Sequence, residues 1–191
     1  MNEELSALRE RAKEGRDPTA ADETLRFLLH WAKEHGVKKY LEIGAAEGLT
    51  ATALLLETAA SVTAIEKDAA RAQRARENFA RFGAVDRAEL FEGDAGEILP
   101  MLGGGYDLIF LDGPKVQYLK YLPDCKRLLN RGGALCSDDI LLFGWVRGEA
   151  PKKRRMLVEH IREYLRALEE DSELKTTVYE YGEGLAVSIK L

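Results

Sequence analysis

The chain has 191 residues, 46% of them hydrophobic and 32% charged, and a formal charge of −5. That is enough apolar material for one globular unit over residues 1–191, and the acidic balance argues against a surface that is basic overall while allowing a local basic patch. No apolar run reaches the roughly 20 residues of a membrane span, and the start Met1-Asn2-Glu3-Glu4 is acidic where a signal segment is basic, so a cytoplasmic protein with no membrane partner is expected.

Residues 3–14 predict a short charged helix, the core of an N-terminal extension over residues 1–16. Asp17-Pro18 reads as a cap followed by proline at a helix start, and Leu25, Leu28, Leu29 and Ala32 recur at helical spacing until Gly36. An apolar strand then runs into Glu42-Ile43-Gly44-Ala45-Ala46-Glu47-Gly48, followed by a helix over residues 50–58. Residues 61–65 form a second buried strand ending at Glu66, and residues 69–82 a helix with Ala72, Ala75, Phe79 and Phe82 on one face. A third strand spans residues 87–92, a short helix 94–99 and a fourth strand 106–111, after the loop Gly103-Gly104-Gly105. The next helix turns Tyr118, Leu119, Leu122, Cys125, Leu128 and Leu129 inward and stops at Asn130-Arg131-Gly132-Gly133. A fifth strand over residues 134–137 leads into Asp138-Asp139, and residues 140–151 read as a loop able to cover a site. Leu157, Ile161, Tyr164, Leu165 and Leu168 mark the last helix. Strands over residues 174–181 and 185–191 are separated only by Gly182-Glu183-Gly184, too short for a helical crossover, so they pair antiparallel. Cys125 and Cys136 both lie in packed elements and read as buried thiols, and no Cys/His metal cluster is present.

Strands and helices alternate through the chain, which predicts a parallel doubly wound sheet closed by an antiparallel hairpin. In such a sheet ligands gather beyond the carboxyl ends of the strands, where strand order reverses. With the first strand beside the fourth and the fourth beside the fifth, Glu42-Gly44, Asp112 and Asp138-Asp139 share that edge. The turn is Gly-x-x-x-Gly, with Ala46 and Leu49 where a dinucleotide fingerprint has its second and third glycines, which weakens a reading as an NAD(P) oxidoreductase. Glu66 ends the second strand at the distance from Gly44 where an acid meets ribose hydroxyls. Asp94, in Gly93-Asp94-Ala95, suits either a ligand contact or the cap of the short helix.

The run Glu42-x-Gly44-x-x-x-Gly48 resembles the first motif of class I S-adenosylmethionine (SAM) methyltransferases. Asp112-Gly113-Pro114-Lys115, Ser137-Asp138-Asp139 and Gly182-Glu183-Gly184-Leu185 sharpen the likeness. Together they resemble the metal-dependent O-methyltransferases typified by the catechol and caffeoyl-CoA enzymes, whose bacterial branch includes tRNA 5-hydroxyuridine methyltransferases. The resemblance covers residues 17–191 and implies the Rossmann-like SAM-methyltransferase fold, an α/β architecture with a mostly parallel seven-stranded sheet, helices on both faces and an antiparallel end. It implies that Glu42, Gly44, Gly48, Thr50, Glu66, Gly93, Asp94, Ala95 and Asp112 line SAM. It further implies that Asp112, Asp138 and Asp139 hold Mg²⁺, or Mn²⁺ or Ca²⁺ in its place, that Lys115 is the proton acceptor, and that the protein is a homodimer. The chemistry is coherent: SAM carries an activated methyl group, so the enzyme must present an oxygen nucleophile in line, and a hard cation on carboxylates acidifies and orients a chelated hydroxyl. Such a cation would also depress the pKa of Lys115.

Three residues depart from the family pattern. Asp139 stands where Asn is usual, Leu49 replaces a frequent aromatic, and Glu47 adds an acid that could meet SAM's amino group or favour the helix start. The acceptor is open between tRNA bearing 5-hydroxyuridine and a small catechol-like or phenolic compound, since both present a hydroxyl beside a second oxygen. Arg147, Lys152, Lys153, Arg154 and Arg155 favour RNA. A SAM- or RNA-binding module without turnover is the competing class; it leaves unexplained why Lys115 and three acids stay together.

Overall fold

The computed structural model describes residues 2–15 and 19–191. Its elements are α1 (Glu3–Gly15), α2 (Asp22–Glu34), β1 (Lys39–Ile43), α3 (Leu49–Glu57), β2 (Ser61–Glu66), α4 (Ala69–Arg81), β3 (Ala88–Glu92), α5 (Ala95–Ile98), β4 (Tyr106–Leu111), α6 (Tyr118–Leu128), β5 (Leu129–Ser137), α7 (Arg155–Glu170), β6 (Leu174–Tyr179) and β7 (Leu185–Lys190). The expected Asp17-Pro18 cap lies outside the described residues, and α2 begins at Asp22.

The seven strands form one sheet in the order β3-β2-β1-β4-β5-β7-β6. β1 to β5 pair in parallel, while β7 runs antiparallel to both β5 and β6, as the short hairpin turn required. Strand order reverses between β1 and β4: β2 and β3 are added on one side of β1 and β4 and β5 on the other, and β1 and β4 deliver Gly44 and Asp112 to one edge.

Successive strand residues point to opposite faces, and the core divides accordingly. Tyr40, Val62, Ala64, Leu108, Phe110 and Cys136 pack on one face under α1 to α4. Leu41, Ile43, Ile65, Ile109, Leu111 and Leu135 pack on the other under α5 to α7. The two cysteines are free and buried, and burial pushes the Cys125 thiol up to about 12, which keeps it inert.

One boundary differs from expectation. The Asn130-Gly133 stretch does not precede the fifth strand but belongs to it: β5 starts at Leu129, and its pairing with β4 slips from Tyr106↔Leu129 to Leu108↔Ala134. Gly133 permits this irregularity, because a Cβ there would stand 2.9 Å from the Asp107 carbonyl oxygen and 3.0 Å from that of Asn130.

Candidate active site

The carboxyl ends of β1, β2, β3 and β4 enclose a cleft of about 340 Å³, lined by Gly44, Ala46, Glu66, Gly93, Asp94, Ala95, Asp112 and Tyr121 among others. That volume suits a small-molecule ligand. A much smaller cavity of about 10 Å³, lined by Thr19, Ala20, Glu42, Thr50 and Leu49, shares Gly44, Ala46 and Asp112 with it, so the two adjoin.

The turn after β1 is fixed from three sides. Gly44 and Ala45 donate to the Ile65 carbonyl (2.9 and 3.0 Å), and Ala46 donates to Glu66 Oε2 (2.8 Å). Gly44 has φ +91°, and a Cβ there would lie 2.5 Å from the Asp112 carbonyl oxygen, so the two strand ends touch backbone to backbone. Glu66, expected at ribose, lines the cleft, but Asp68 N–H occupies its Oε1 (2.8 Å) as Ala46 occupies Oε2. It therefore organises the turn whatever else it binds. Asp94 lines the cleft and also caps α5 through Gly96 N–H (2.8 Å). The Lys67 ammonium and that N–H hold its carboxyl below the usual range.

Gly48 lines neither cavity. It has φ +67°, and a Cβ there would meet Ala75 and the Phe79 ring at 3.0 Å, so this glycine allows α3 to pack on α4. Glu47 is held by Arg74 of α4 and points to that pair, not to the cleft.

Glu42 is 2% exposed, and its Oε2 has no hydrogen-bond partner. Burial, then the nearby Asp112, raises its pKa well above the carboxylate range, with Arg9 acting the other way. A buried acid oxygen left open beside a glycine turn fits the ammonium group of an amino acid, and the adjoining cleft fits a nucleoside, so the residues present suit SAM.

Lys115 Nζ stands 3.0 Å from Asp112 Oδ1 and 3.0 Å from Asp139 Oδ2, with the Tyr118 ring 5.3 Å away. Burial alone would lower its pKa, but Tyr118, Asp112 and Asp139 outweigh burial and hold it well above the lysine value. The expected depression is thus absent while carboxylates are its neighbours. Asp112 is raised by burial and by Asp139 against the pull of Lys115. Asp138 is pushed up to about 8 by burial, Asp112 and Asp139. Its Oδ1 accepts from Asp139 N–H (3.0 Å) and Thr24 Oγ1 (3.4 Å).

Among the described residues no three acid, imidazole or thiol groups stand so as to hold a metal ion as they are. The physical reason is visible: Lys115 lies between Asp112 and Asp139, and Asp138 is turned to its own neighbours. The donor set itself, three oxygen acids of which two have pKa values raised first by burial and then by their acidic neighbours, has the chemistry of a hard-cation site. Asp139 adopts φ +55°, a left-handed conformation that Asp and Asn tolerate best.

Two contributors were not singled out as site residues in the sequence. The Tyr118 hydroxyl bonds the carbonyls of Leu111 (2.8 Å) and Asp138 (3.2 Å), tying the ends of β4 and β5 together. Tyr164 packs edge-on to Tyr118 and shares a 2.6 Å hydrogen bond with Ser137. Both read only as inward positions of helices. Residues 140–151, expected to cover the site, line no part of the cleft. Arg162 holds this loop through the carbonyls of Val146 (3.0 Å) and Gly148 (2.9 Å), against the flank of α7.

Comparison with known proteins agrees with this arrangement. A family model described as O-methyltransferase matches residues 3–191. A catechol O-methyltransferase of Mycobacterium tuberculosis is 31% identical over 128 residues, covering 65% of this chain and 58% of its own length. A solved Staphylococcus aureus protein, named provisionally as a caffeoyl-CoA O-methyltransferase, superposes with a TM-score of 0.93 at 28% identity, over 100% of this chain and 93% of that one. An O-methyltransferase from Bacillus cereus, solved with S-adenosylhomocysteine (SAH), shares the fold with a TM-score of 0.88 at 20% identity, over 100% of this chain and 92% of that one.

Proposed function

The chain belongs to the O-methyltransferase family, and from that premise we propose that it transfers the methyl group of SAM to a hydroxyl held beside Asp112 and Lys115, with 5-hydroxyuridine in tRNA as the acceptor. It is a SAM-dependent O-methyltransferase of the catechol and caffeoyl-CoA type. One observation carries the reading of the site: Asp112 lines the cleft whose volume suits a small-molecule ligand, and the same Asp112 shares the Lys115 ammonium with Asp139. Cofactor and acceptor chemistry therefore meet at one residue.

In this reading Glu42 receives the ammonium of SAM, Glu66 and the Gly44 turn support its ribose, and Gly93, Asp94 and Ala95 frame its adenine. Thr50 closes the amino-acid end. The methyl group passes from sulfonium to oxygen, leaving a neutral thioether, and the hydroxyl proton goes to Lys115 Nζ. Asp112, Asp138 and Asp139 would hold Mg²⁺, or Mn²⁺ or Ca²⁺, which when bound acidifies the hydroxyl. Lys115 becomes a competent base only once its two carboxylate partners are otherwise engaged.

Support for RNA comes from Lys152, Lys153, Arg154 and Arg155, all exposed and without an ion pair among the described residues, at the start of α7, the helix that also packs on the Lys115–Gln117 turn. A small catechol-like or phenolic acceptor is the second reading, favoured by the name of the mycobacterial relative. The deciding assay offers labelled SAM with tRNA bearing 5-hydroxyuridine, or with catechol, before and after chelation. Methylation of tRNA that chelation abolishes is expected. Turnover of catechol alone would favour the second reading, and activity that survives exhaustive chelation would remove the cation. A homodimer belongs to this proposal, and light scattering should give twice the 21.3 kDa of one chain.

A further inference from the structure

Three buried side-chain atoms have no hydrogen-bond partner among the described residues: Arg9 Nε, Tyr40 Oη and Glu42 Oε2. They belong to one neighbourhood. Tyr40 and Glu42 lie on β1, and the charge of Arg9 is felt at Glu42. Arg9 is the odd member, a guanidinium only 1% exposed that comes from α1, far from the sheet in sequence.

Its other donors explain why it is there. Nη1 donates to Thr19 Oγ1 (2.9 Å), and Nη2 donates to the Ala20 carbonyl (2.7 Å) and to Asp22 Oδ1 (3.2 Å). Thr19 and Ala20 line the narrow cavity that also holds Glu42, Gly44 and Thr50. Burying a guanidinium is costly unless its donors are met, and here two of its bonds fall on two successive residues of that cavity's lining. The third bond, to Asp22, docks α1 on α2, while the other two reach the lining of the cavity.

We propose that Arg9 is a positioning residue for the amino-acid end of the cofactor: through Thr19 and Ala20 it sets the wall of the cavity that holds the Glu42 carboxylate, which makes α1 part of the cofactor site. The inference rests on the cleft being the SAM site. It assigns α1 a role that no ligand contact of its own would reveal, because Arg9 acts through the two residues it holds.

The test compares two probes by calorimetry on the full chain. SAH carries the amino-acid end, and 5′-methylthioadenosine has the same nucleoside without it. Arg9→Met should weaken SAH about tenfold or more while changing 5′-methylthioadenosine less than about twofold. Thr19→Val, which keeps the buried charge, should move SAH in the same direction by about threefold. Equal weakening of both probes would reduce Arg9 to a fold-holding role and overturn the inference, as would unchanged SAH affinity in Arg9→Met. If Arg9→Met does not fold, as judged by thermal melting, Thr19→Val decides: wild-type affinity for SAH in that variant overturns the inference. Failure of the wild type to bind either probe would instead sink the reading of the cleft itself.

Discussion

Tyr118 shows how one hydroxyl can govern two acids it does not touch. Its bonds to the carbonyls of Leu111 and Asp138 fix the backbone that presents Asp112 and Asp138. Tyr118→Phe keeps the ring against Tyr164 and deletes these bonds together with the hydroxyl's influence on Lys115, so it should cost about 1–3 kcal/mol in urea unfolding. Turnover should fall more than SAM affinity, because the cofactor turn keeps its bonds to Ile65 and Glu66 even where its contact with Asp112 loosens. Wild-type turnover in Tyr118→Phe would mean that the two strand ends hold their places without it. Glu66→Ala tests the other side: Oε2 holds the glycine turn through Ala46 N–H and Oε1 holds Asp68 N–H at the start of α4, so the variant should lose about 1–3 kcal/mol of SAM binding, together with some stability. Unchanged affinity would take Glu66 out of the cofactor site.

At the scale of elements, α7 joins the 140–151 loop to a basic row. Replacing Lys152, Lys153, Arg154 and Arg155 by Gln should flatten the fall of tRNA methylation with salt, because each phosphate contact contributes about one unit to the logarithmic slope. An unaltered salt slope would place the RNA, if any, elsewhere. The elements themselves were legible because strand and helix periods alternate cleanly and the last two strands leave no room for a crossover. β5 was misjudged at its start, since Gly132-Gly133 has the composition of a helix stop while the sheet uses it as an irregular strand entry. The acids at the strand ends were legible for the same reason as the strands. Gly48 was read as a ligand glycine, although its neighbours are Ala75 and Phe79, contacts that only tertiary packing supplies. Arg9 and Tyr118 were illegible as site-builders, because their partners lie on other elements: the segment before α2 for one, the ends of β4 and β5 for the other.

For the molecule as a whole, the buried acids set how stability responds to pH. Asp138 is raised to about 8 from an ordinary carboxylate value, and burial moves Glu42 and Asp112 upward as well. Folding therefore takes up protons, so this contribution is complete below the unfolded carboxylate range and is lost as pH rises through about 8. The acids with lowered pKa values, Asp22, Asp94 and Asp171 among them, lose their contribution only in acid, outside that window. The melting temperature of the cation-free protein should thus fall between about pH 5 and about pH 8 and level off above that, and added Mg²⁺ should flatten the fall. A melting curve that does not move over that range would show the three acids to be ionised without cost. The close approach of Gly44 to the Asp112 carbonyl has a different kind of consequence. A ligand on the glycine turn and a ligand on Asp112 would bear on the same pair of peptide groups, so binding of either is expected to alter the site offered to the other. Linkage makes that influence reciprocal: whatever factor SAH adds to the affinity for Mn²⁺, Mn²⁺ must add to the affinity for SAH. Titrating each in the presence and absence of the other should give one shared factor different from unity, which would let the enzyme keep an unaccompanied acceptor from engaging a site without its methyl donor.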